Sequence, residues 1–273
     1  MDNNNPENLP IVSYSKISCY KTCPKQYKFL YIDKLQRLDK PFTVFGQFCH
    51  EALQRFHAAK LAGSKDAPEN IMRKSFIEAR KPTNDRDKGW KEKITKEQLS
   101  EAFAILQTYL NIIVNQEPKD APEIISVEKK IWLPIDNTLI FYGFIDRIQK
   151  DPDGMYHIVD YKTTKDERFL KDRTQLLLYA YSLYAEDNKN IDKIRSSYIL
   201  LKHDMKVLAM DHEVKELIAA KDKLLNDWEM VMLDKLYRAT PLYWKCNNCD
   251  CIAKCKEGQA LVHRKNENGK VEW

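Results

Sequence analysis

An α/β fold with a mixed sheet is predicted by three successive patterns along the 273-residue sequence. Residues 1–120 carry apolar side chains at helical spacing, and residues 121–212 carry short β-branched and aromatic runs separated by turn residues. Residues 213–263 return to a helical pattern that leads into a group of cysteines, and residues 264–273 form a polar tail. Because no internal repeat is present, we expect a single domain of residues 1–273 whose sheet core is flanked by helices.

The composition is typical of a folded soluble chain, and the sequence argues against a membrane-spanning protein and a secreted protein. Apolar residues make up 43% of the sequence and charged residues 31%, as in ordinary globular domains. The longest apolar run, residues 176–181, has six residues, whereas a membrane-spanning helix needs roughly 20. The polar start, MDNNNPENLP, lacks the apolar segment of a secretion signal. We therefore expect a cytoplasmic protein with no membrane partner.

The N-terminal part is predicted to contain three helices and one loop. Ser13 or Ser15 can cap a helix that runs to about residue 32. Apolar residues at helical spacing predict a second helix over about 45–61 and a third over about 96–115. Residues 81–96 are polar and interrupted by a proline and a glycine, so they are predicted to form a loop.

The central part is predicted to form a sheet. Asp151-Pro152-Asp153-Gly154 is a strong turn sequence, so the runs on either side of it should form an antiparallel hairpin. A helix over about 172–186 and another over about 214–236 are expected on either side of a second hairpin. The predicted strands are 124–133, 139–149, 155–161, 196–201 and 206–210.

Two carboxylates are expected to meet on the first hairpin. The turn places Asp146 opposite positions 159–160, so Asp146 and Asp160 can lie close together. Lys162 follows two residues later and shares a strand face with Asp160. Oxygen ligands for Mg²⁺ or Mn²⁺, with a cation beside the attacking water, are what metal-assisted phosphodiester hydrolysis requires. For this pattern taken alone, the common alternative is an exposed aspartate opposite a lysine.

Four motifs occur in order along the chain: Gly46-x-x-x-His50, Gly143-Phe144-Ile145-Asp146, Asp160-Tyr161-Lys162-Thr163 and Gln175-x-x-x-Tyr179. Together they resemble the RecB-type branch of the PD-(D/E)XK nuclease superfamily, and the resemblance extends from Ser13 to Cys255. Two residues depart from the superfamily pattern. Ile145 stands at the position of the proline for which the superfamily is named, and Asp160 replaces a glutamate, so the metal preference stays open.

The resemblance implies a restriction-endonuclease-like core and the role of each motif residue. Lys162 is implied to assist the attacking water, and Gln175 and Tyr179 share one helical face and are implied to hold the DNA strand. The implied metal ligands are His50, Asp146, Asp160 and the backbone carbonyl of Tyr161. The implied catalytic residues are Asp146, Asp160, Lys162, Gln175 and Tyr179.

Further residues are candidates for the same site. Glu128 precedes the hairpin and is either an additional acidic ligand or a surface residue of an edge strand. Lys165, Lys171 and Arg173 are either phosphate contacts or solvated charges. Residues 16–40 contain seven basic and two acidic residues interleaved with aromatic ones, which suits either a DNA backbone with stacked bases or a solvated basic helix.

A group of cysteines predicts a metal site. Cys246-x-x-Cys249 is followed, after five intervening residues, by Cys255, and Cys23 lies before a proline near the other end of the chain. Four thiolates can bind Zn²⁺ or an iron–sulfur cluster, and spacing alone does not separate the two. The same pattern resembles iron–sulfur RecB-type nucleases of the AddB and CRISPR-associated spacer-processing kinds. That resemblance implies a [4Fe–4S] cluster on Cys23, Cys246, Cys249 and Cys255.

The resemblance implies a metal-dependent DNA exonuclease that acts on single strands or DNA ends in prokaryotic or phage recombination, repair or replication. No GxxxxGK[ST] motif is present, so any unwinding is expected from a helicase or recombination partner. Two alternatives stay open. One is a CRISPR adaptation nuclease that trims spacers beside an integrase, and the other is a non-catalytic DNA-end-binding subunit.

Overall fold

The structure is a computed structural model that describes residues 8–115, 121–164, 170, 172–187 and 191–268. Its residues form two compact units. Unit 1 comprises Met1–Leu38, Pro134–Phe141 and Asp222–Trp273, and unit 2 comprises Asp39–Leu133 and Tyr142–Lys221. Among the described residues, no helix has both the length and the apolar character needed to cross a bilayer.

The β-strands give a mixed sheet, as predicted. β3 and β4 are antiparallel, β4 and β5 are parallel, and β5 and β6 are antiparallel, while β2 also pairs with β3. The turn between β3 and β4 contains Gly154 at φ +85°, and its N–H donates to the carbonyl of Asp151 at 2.8 Å. The strands are β1 (Ile11–Val12), β2 (Glu123–Ile135), β3 (Leu139–Lys150), β4 (Tyr156–Lys162), β5 (Lys193–Leu200) and β6 (Lys206–Glu213).

Unit 2 also contains a group of helices and a large apolar core. Thr95 caps α6 through a capping box with Gln98. Phe48, Leu53 and Phe56 of α3 are fully buried in a core that includes Val159 of β4. These helices are α3 (Pro41–Leu61), α4 (Pro68–Ala79), α5 (Asp85–Lys91), α6 (Lys96–Tyr109), which continues as a π-helix (Leu110–Val114), and α7 (Thr174–Glu186).

Unit 1 brings the two ends of the chain together. Tyr20 donates to the Oδ2 atom of Asp234 at 2.9 Å, and Tyr27 stacks on Tyr237 at 6.1 Å between ring centroids. β1 pairs in parallel with the first residues of β3. The helices are α1 (Tyr14–Thr22), α2 (Pro24–Tyr27), a π-helix (Lys28–Ile32), the end of α8 (Val214–Leu233), α9 (Tyr243–Cys246), a 3₁₀ turn (Ile252–Lys254) and α10 (Lys256–Asn268).

Several boundaries differ from the sequence prediction. The single helix expected up to residue 32 is broken at Cys23, which is extended because Pro24 begins the next helix. The loop predicted for residues 81–96 contains α5, in which Lys91 is buried against Glu51 of α3 at 2.8 Å. α4 was not predicted at all. The α/β class is confirmed, whereas the single domain of residues 1–273 stays a prediction.

Candidate active site

The motif residues predicted from the sequence converge in unit 2. The antiparallel register of β3 and β4 pairs Arg147 with Val159, so Asp146 and Asp160 occupy the next position along each strand. The contributing elements are α3 for His50, β3 for Asp146, β4 for Asp160 and Lys162, and α7 for Gln175 and Tyr179. The turn at residues 151–154 therefore sets the register that brings the two carboxylates together.

Asp146 is held by an imidazole and a backbone amide. Its Oδ2 atom lies 3.2 Å from Nδ1 of His50 and accepts a hydrogen bond from the N–H of Tyr161 at 2.8 Å. Burial alone would raise the pKa of Asp146, but His50 and the Tyr161 N–H outweigh it and lower that pKa. Burial correspondingly opposes the protonated form of His50, yet Asp146 raises the His50 pKa above its ordinary value. The pair therefore favours a carboxylate beside an imidazolium.

Asp160 is buried in a less favourable environment. Its Oδ2 atom lies 2.7 Å from Nζ of Lys162, but the angle of this contact is not that of a hydrogen bond. In the described part of the chain, no donor forms a hydrogen bond to this oxygen. Burial, and after it the charge of Asp146, raises the pKa of Asp160 despite Lys162. This oxygen is therefore a buried acceptor that a cation could satisfy.

The side chain of Lys162 is oriented by α7. Its Nζ atom donates to Oε1 of Gln175 at 3.1 Å, and Nε2 of Gln175 donates to the hydroxyl of Tyr179 at 2.9 Å. Burial raises the pKa of Tyr179, so this hydroxyl stays protonated at neutral pH. A Cβ on Gly143 would stand 3.1 Å from Cε1 of Tyr179. The motif glycine therefore gives the tyrosine room beside β3.

Glu128 lies in the same cavity as His50 and Asp146, which has a volume of about 580 Å³. Its backbone adopts φ +51°, a left-handed conformation that is strained for a glutamate. Burial and the charge of Asp146 raise the pKa of Glu128 to about 6. Glu128 is half-buried on β2, so it differs from a fully exposed surface residue, and both the role as a ligand and the edge-strand alternative stay predictions.

The side chains of this site carry donor atoms of the type that binds a divalent cation, although these atoms are not arranged around one. Among the described residues, no group of three His, Cys, Asp or Glu side chains forms a ready metal-binding set. In this structure Asp146 is paired with His50, and Asp160 lies against Lys162. Two carboxylates and a buried acceptor without an aligned partner suit the oxygen chemistry of Mg²⁺ or Mn²⁺.

The four cysteines predicted to bind a cluster all lie in unit 1 and line one cavity of about 30 Å³ together with Cys251. The N–H of Gly258 points to Sγ of Cys255 at 3.4 Å, and the N–H of Cys251 points to Sγ of Cys249 at 3.4 Å. Backbone donors to sulfur are typical partners of metal-bound thiolates. All seven cysteines are free thiols, so no disulfide competes for these sulfurs.

Other candidates for DNA contact are placed less favourably. Tyr27, in the basic segment of residues 16–40, is 3% exposed and packs edge-on against Tyr20. Its ring is therefore not available for base stacking. Arg173 is the residue before α7, and Lys165 and Lys171 lie outside the described residues.

Sequence reasoning missed a group of buried polar residues beside the site. Arg147, His57 and Tyr109 are each at most 4% exposed, and the guanidinium of Arg147 contacts both of the others at 3.0 Å. Two signals could have found them. Arg147 directly follows Asp146, and His57 follows His50 by two helical turns.

Comparison with known proteins identifies the sequence pattern. The profile of the PD-(D/E)XK nuclease superfamily matches residues 11–256, and this match supports the restriction-endonuclease-like assignment of the α/β core. No curated protein sequence matches the chain.

Two solved structures are similar to the chain. The crystal structure of SSO0001 has 12% sequence identity and a TM-score of 0.38, over 91% of this chain and 86% of that chain. The crystal structure of a protein from Eubacterium rectale, named there as a proposed exonuclease, has 10% identity and a TM-score of 0.45, over 85% of each chain.

Proposed function

The chain belongs to the PD-(D/E)XK nuclease superfamily, and we propose that it is a RecB-type, metal-dependent DNA exonuclease acting on single strands or DNA ends. The observation that supports this proposal is the convergence of His50, Asp146, Asp160 and Lys162 in unit 2, beside an open cavity of about 580 Å³. We further propose a cytoplasmic role in prokaryotic or phage recombination, repair or replication, with a helicase or integrase as partner.

The residues that would hold Mg²⁺ or Mn²⁺ are His50, Asp146, Asp160 and the carbonyl oxygen of Tyr161. The ion would supply a Lewis acid for the scissile phosphate and lower the pKa of a water molecule. Lys162, fixed 2.7 Å from Asp160 and 3.1 Å from Gln175, would orient the attacking water and balance charge on the phosphate. Gln175 and Tyr179 would hold the strand against these groups.

Cleavage of labelled DNA tests the proposal. Single- and double-stranded oligonucleotides, labelled at either end, are incubated with Mg²⁺ or Mn²⁺ and the wild-type chain, Lys162→Ala or Lys193→Ala. We expect shortening of one or more substrates by the wild type and by Lys193→Ala, a strand lysine of β5 away from the site. Loss of the Lys162 ammonium should lower the cleavage rate by about 10²-fold or more and leave DNA binding intact.

Two results would contradict the nuclease proposal. Equal cleavage by Lys162→Ala and the wild type would remove Lys162 from the mechanism. DNA-end binding without cleavage in either metal would favour the non-catalytic subunit. If cleavage is accompanied by stable binding to an integrase, the spacer-trimming alternative replaces a role in recombination or repair.

For unit 1 we propose a [4Fe–4S] cluster on Cys23, Cys246, Cys249 and Cys255. The position of the four sulfurs around one cavity and the N–H groups directed at two of them support it, although the described cysteines, like the other donors, are not arranged as a ready metal-binding set. A cluster joining residue 23 to residue 246 would restrict the unfolded chain by several kcal/mol, in order of magnitude.

Anaerobic purification tests the cluster. We expect a brown protein with a broad visible absorption band and about four irons per chain, the number in such a cluster. Cys246→Ser should lose iron, and Cys49→Ser, a buried thiol of α3, should keep it. Stoichiometric zinc without iron would overturn the cluster in favour of Zn²⁺.

A further inference from the structure

A buried polar network lies directly behind the candidate active site in unit 2. It consists of His57, Tyr109, Arg147 and Tyr161, and is called the Arg147 network below. Each of these residues is at most 4% exposed. They come from α3, α6, β3 and β4 respectively, so the network joins four elements through side chains.

The contacts of the network are continuous. The Nη1 atom of Arg147 lies 3.0 Å from Nε2 of His57 and donates to the hydroxyl of Tyr109 at 3.0 Å. That hydroxyl lies 2.8 Å from Nε2 of His57 and 3.2 Å from the hydroxyl of Tyr161. The rings of His57 and Tyr161 stack with an interplanar angle of 12°. The Tyr161 ring is therefore held at its hydroxyl and on its face.

The donors and acceptors of the network are consistent with one another. A guanidinium can only donate, so Nε2 of His57 must accept, which requires a neutral imidazole. Burial and the charge of Arg147 lower the pKa of His57 well below its ordinary value. Nε2 of His57 then shares its one lone pair between Arg147 and Tyr109, and the Tyr109 hydroxyl accepts from Tyr161. Such a network resists rearrangement, because moving one member removes hydrogen-bond partners from the others.

Three of the four residues lie on the same strand or helix as a predicted metal ligand and close to it in sequence. Arg147 follows Asp146 in β3, Tyr161 follows Asp160 in β4, and His57 lies two turns after His50 in α3. Tyr161 has the most direct effect on the site, because its N–H donates to Oδ2 of Asp146 at 2.8 Å. A shift of the Tyr161 backbone would therefore move both this N–H group and the carbonyl group of the same residue.

We propose that the Arg147 network positions the metal-binding groups by locking Tyr161, so that its N–H orients Asp146 and its carbonyl faces the cation. The proposal rests on the proposed nuclease function. The network residues are positioning residues, since none is implied to touch the ion through its side chain. If the network were merely structural, changing it would alter only the stability of the fold. If it positions the metal-binding groups, changing it should also weaken the binding of metal by the folded protein.

Mn²⁺ affinity provides the test. Titration of the wild type, Tyr109→Phe, Tyr161→Phe and Tyr184→Phe is followed by the electron paramagnetic resonance signal of free Mn²⁺. Both network variants keep the ring and remove one hydroxyl, and Tyr184→Phe is the matched control, a buried tyrosine of α7. We expect Tyr109→Phe and Tyr161→Phe to bind Mn²⁺ about tenfold more weakly, as for other groups that orient metal ligands. Tyr184→Phe should bind within about twofold of the wild type, since it leaves those groups untouched.

Kinetics supply a second readout on the same variants. With saturating Mn²⁺, kcat should fall by about tenfold in the network variants while KM for DNA stays constant, because only the orientation of the ligands changes. Arg147→Lys retains the charge and should keep more Mn²⁺ affinity than Arg147→Met. Arg147→Lys is also the variant to measure if either phenylalanine variant fails to fold.

The outcomes distinguish this proposal from the proposed function. If the folded network variants bind Mn²⁺ within twofold of the wild type, or if Tyr184→Phe loses as much affinity, the positioning role is wrong. A wild-type chain that binds Mn²⁺ but cleaves no DNA would overturn the nuclease proposal. In that case the tenfold differences in Mn²⁺ affinity would still support the positioning role.

Discussion

Ionisable residues cluster around each end of β4, and the two clusters have nearly the same composition. The end beside the turn has three carboxylates, a histidine and an arginine, and the end beside the cavity has three carboxylates, a histidine and a lysine. The turn-side residues, called the hairpin cluster, are Asp151, Asp153, His157, Arg195 and Asp211. The cavity-side residues, called the site cluster, are His50, Glu128, Asp146, Asp160 and Lys162.

The hairpin cluster is electrostatically satisfied. Arg195 contacts Asp211 at 2.7 Å and Asp151 at 2.8 Å, and His157 lies 3.0 Å from Asp151. Burial would raise the pKa of Asp151, but hydrogen bonds from Gln149 and Arg195 and the neighbouring His157 outweigh it and lower that pKa. The hydrogen bond from Arg195 likewise lowers the pKa of Asp211. Ionised carboxylates therefore stabilise the fold at this end.

The site cluster is not satisfied. Of its carboxylates only Asp146 has a lowered pKa, whereas the pKa values of Asp160 and Glu128 are raised by burial and by Asp146. Composition therefore does not separate the two clusters, whereas the direction of the carboxylate pKa shifts does, and this difference favours the site cluster as the candidate functional one. The site cluster holds negative charge that a divalent cation would neutralise.

The largest contrast is expected in catalysis. Asp160→Asn removes a predicted metal ligand and several kcal/mol of transition-state stabilisation, so the rate of DNA cleavage should fall by about 10³-fold or more. Asp151→Asn changes the same atoms in the hairpin cluster, which touches no substrate, and the rate should stay within about threefold of the wild type. Equal losses in both variants would show that the rate reports on folding rather than on the site.

The second largest contrast between the two clusters is expected in the stabilisation of the fold by Mg²⁺. Mg²⁺ at about 100 times its dissociation constant should raise the free energy of unfolding of the wild type by about 2.7 kcal/mol. Asp151→Asn should show the same increase and Asp160→Asn almost none, because only the second loses a ligand. Urea unfolding with Mg²⁺ and with EDTA measures both. An undiminished increase in Asp160→Asn would place the ion elsewhere.

The proximity of Asp146, Asp160 and Lys162 could be predicted because the information is local, whereas His50 was assigned to the site only through the family resemblance. The turn at residues 151–154 fixes the register of Asp146 and Asp160, and the i, i+4 spacing of Gln175 and Tyr179 places both on one face of α7. Glycine motifs mark where side chains approach the backbone, as at Gly143 beside Tyr179. These features need no knowledge of distant packing.

What the sequence did not reveal depends on tertiary contacts. α5 forms in a polar segment because Lys91 finds Glu51, a partner 40 residues away. The Arg147 network joins residues up to 104 positions apart, His57 and Tyr161, and a buried polar residue leaves no periodic pattern. The break at Cys23 is a different case, since Pro24 is a readable signal for the start of a new helix.

The two clusters should respond oppositely to neutralisation in the absence of metal. At pH 7 in EDTA, Asp160→Asn should raise the free energy of unfolding by about 1 kcal/mol, because the amide removes a buried charge whose pKa is raised. Lys162 keeps its hydrogen bond to Gln175 in this variant. Asp151→Asn should lower the free energy by about 1–2 kcal/mol, because contacts with Arg195 and His157 weaken. Shifts of the same sign in urea unfolding would contradict the comparison.

The smallest effect is a pH dependence within the site cluster. The pKa of Glu128 is raised from 4.5 to about 6, so the unfolded chain ionises first and the contribution of Glu128 to stability is lost as pH rises from about 4.5 to 6. Glu128→Gln should therefore match the wild type at pH 4.5 and exceed its free energy of unfolding by about 1 kcal/mol at pH 7.5 in EDTA, allowing for partial exposure. Glu123→Gln, an exposed residue of the same strand, is the control and should show no such change. A constant difference between Glu128→Gln and the wild type across this range would mean that the carboxyl is as well solvated in the folded protein as in the unfolded chain.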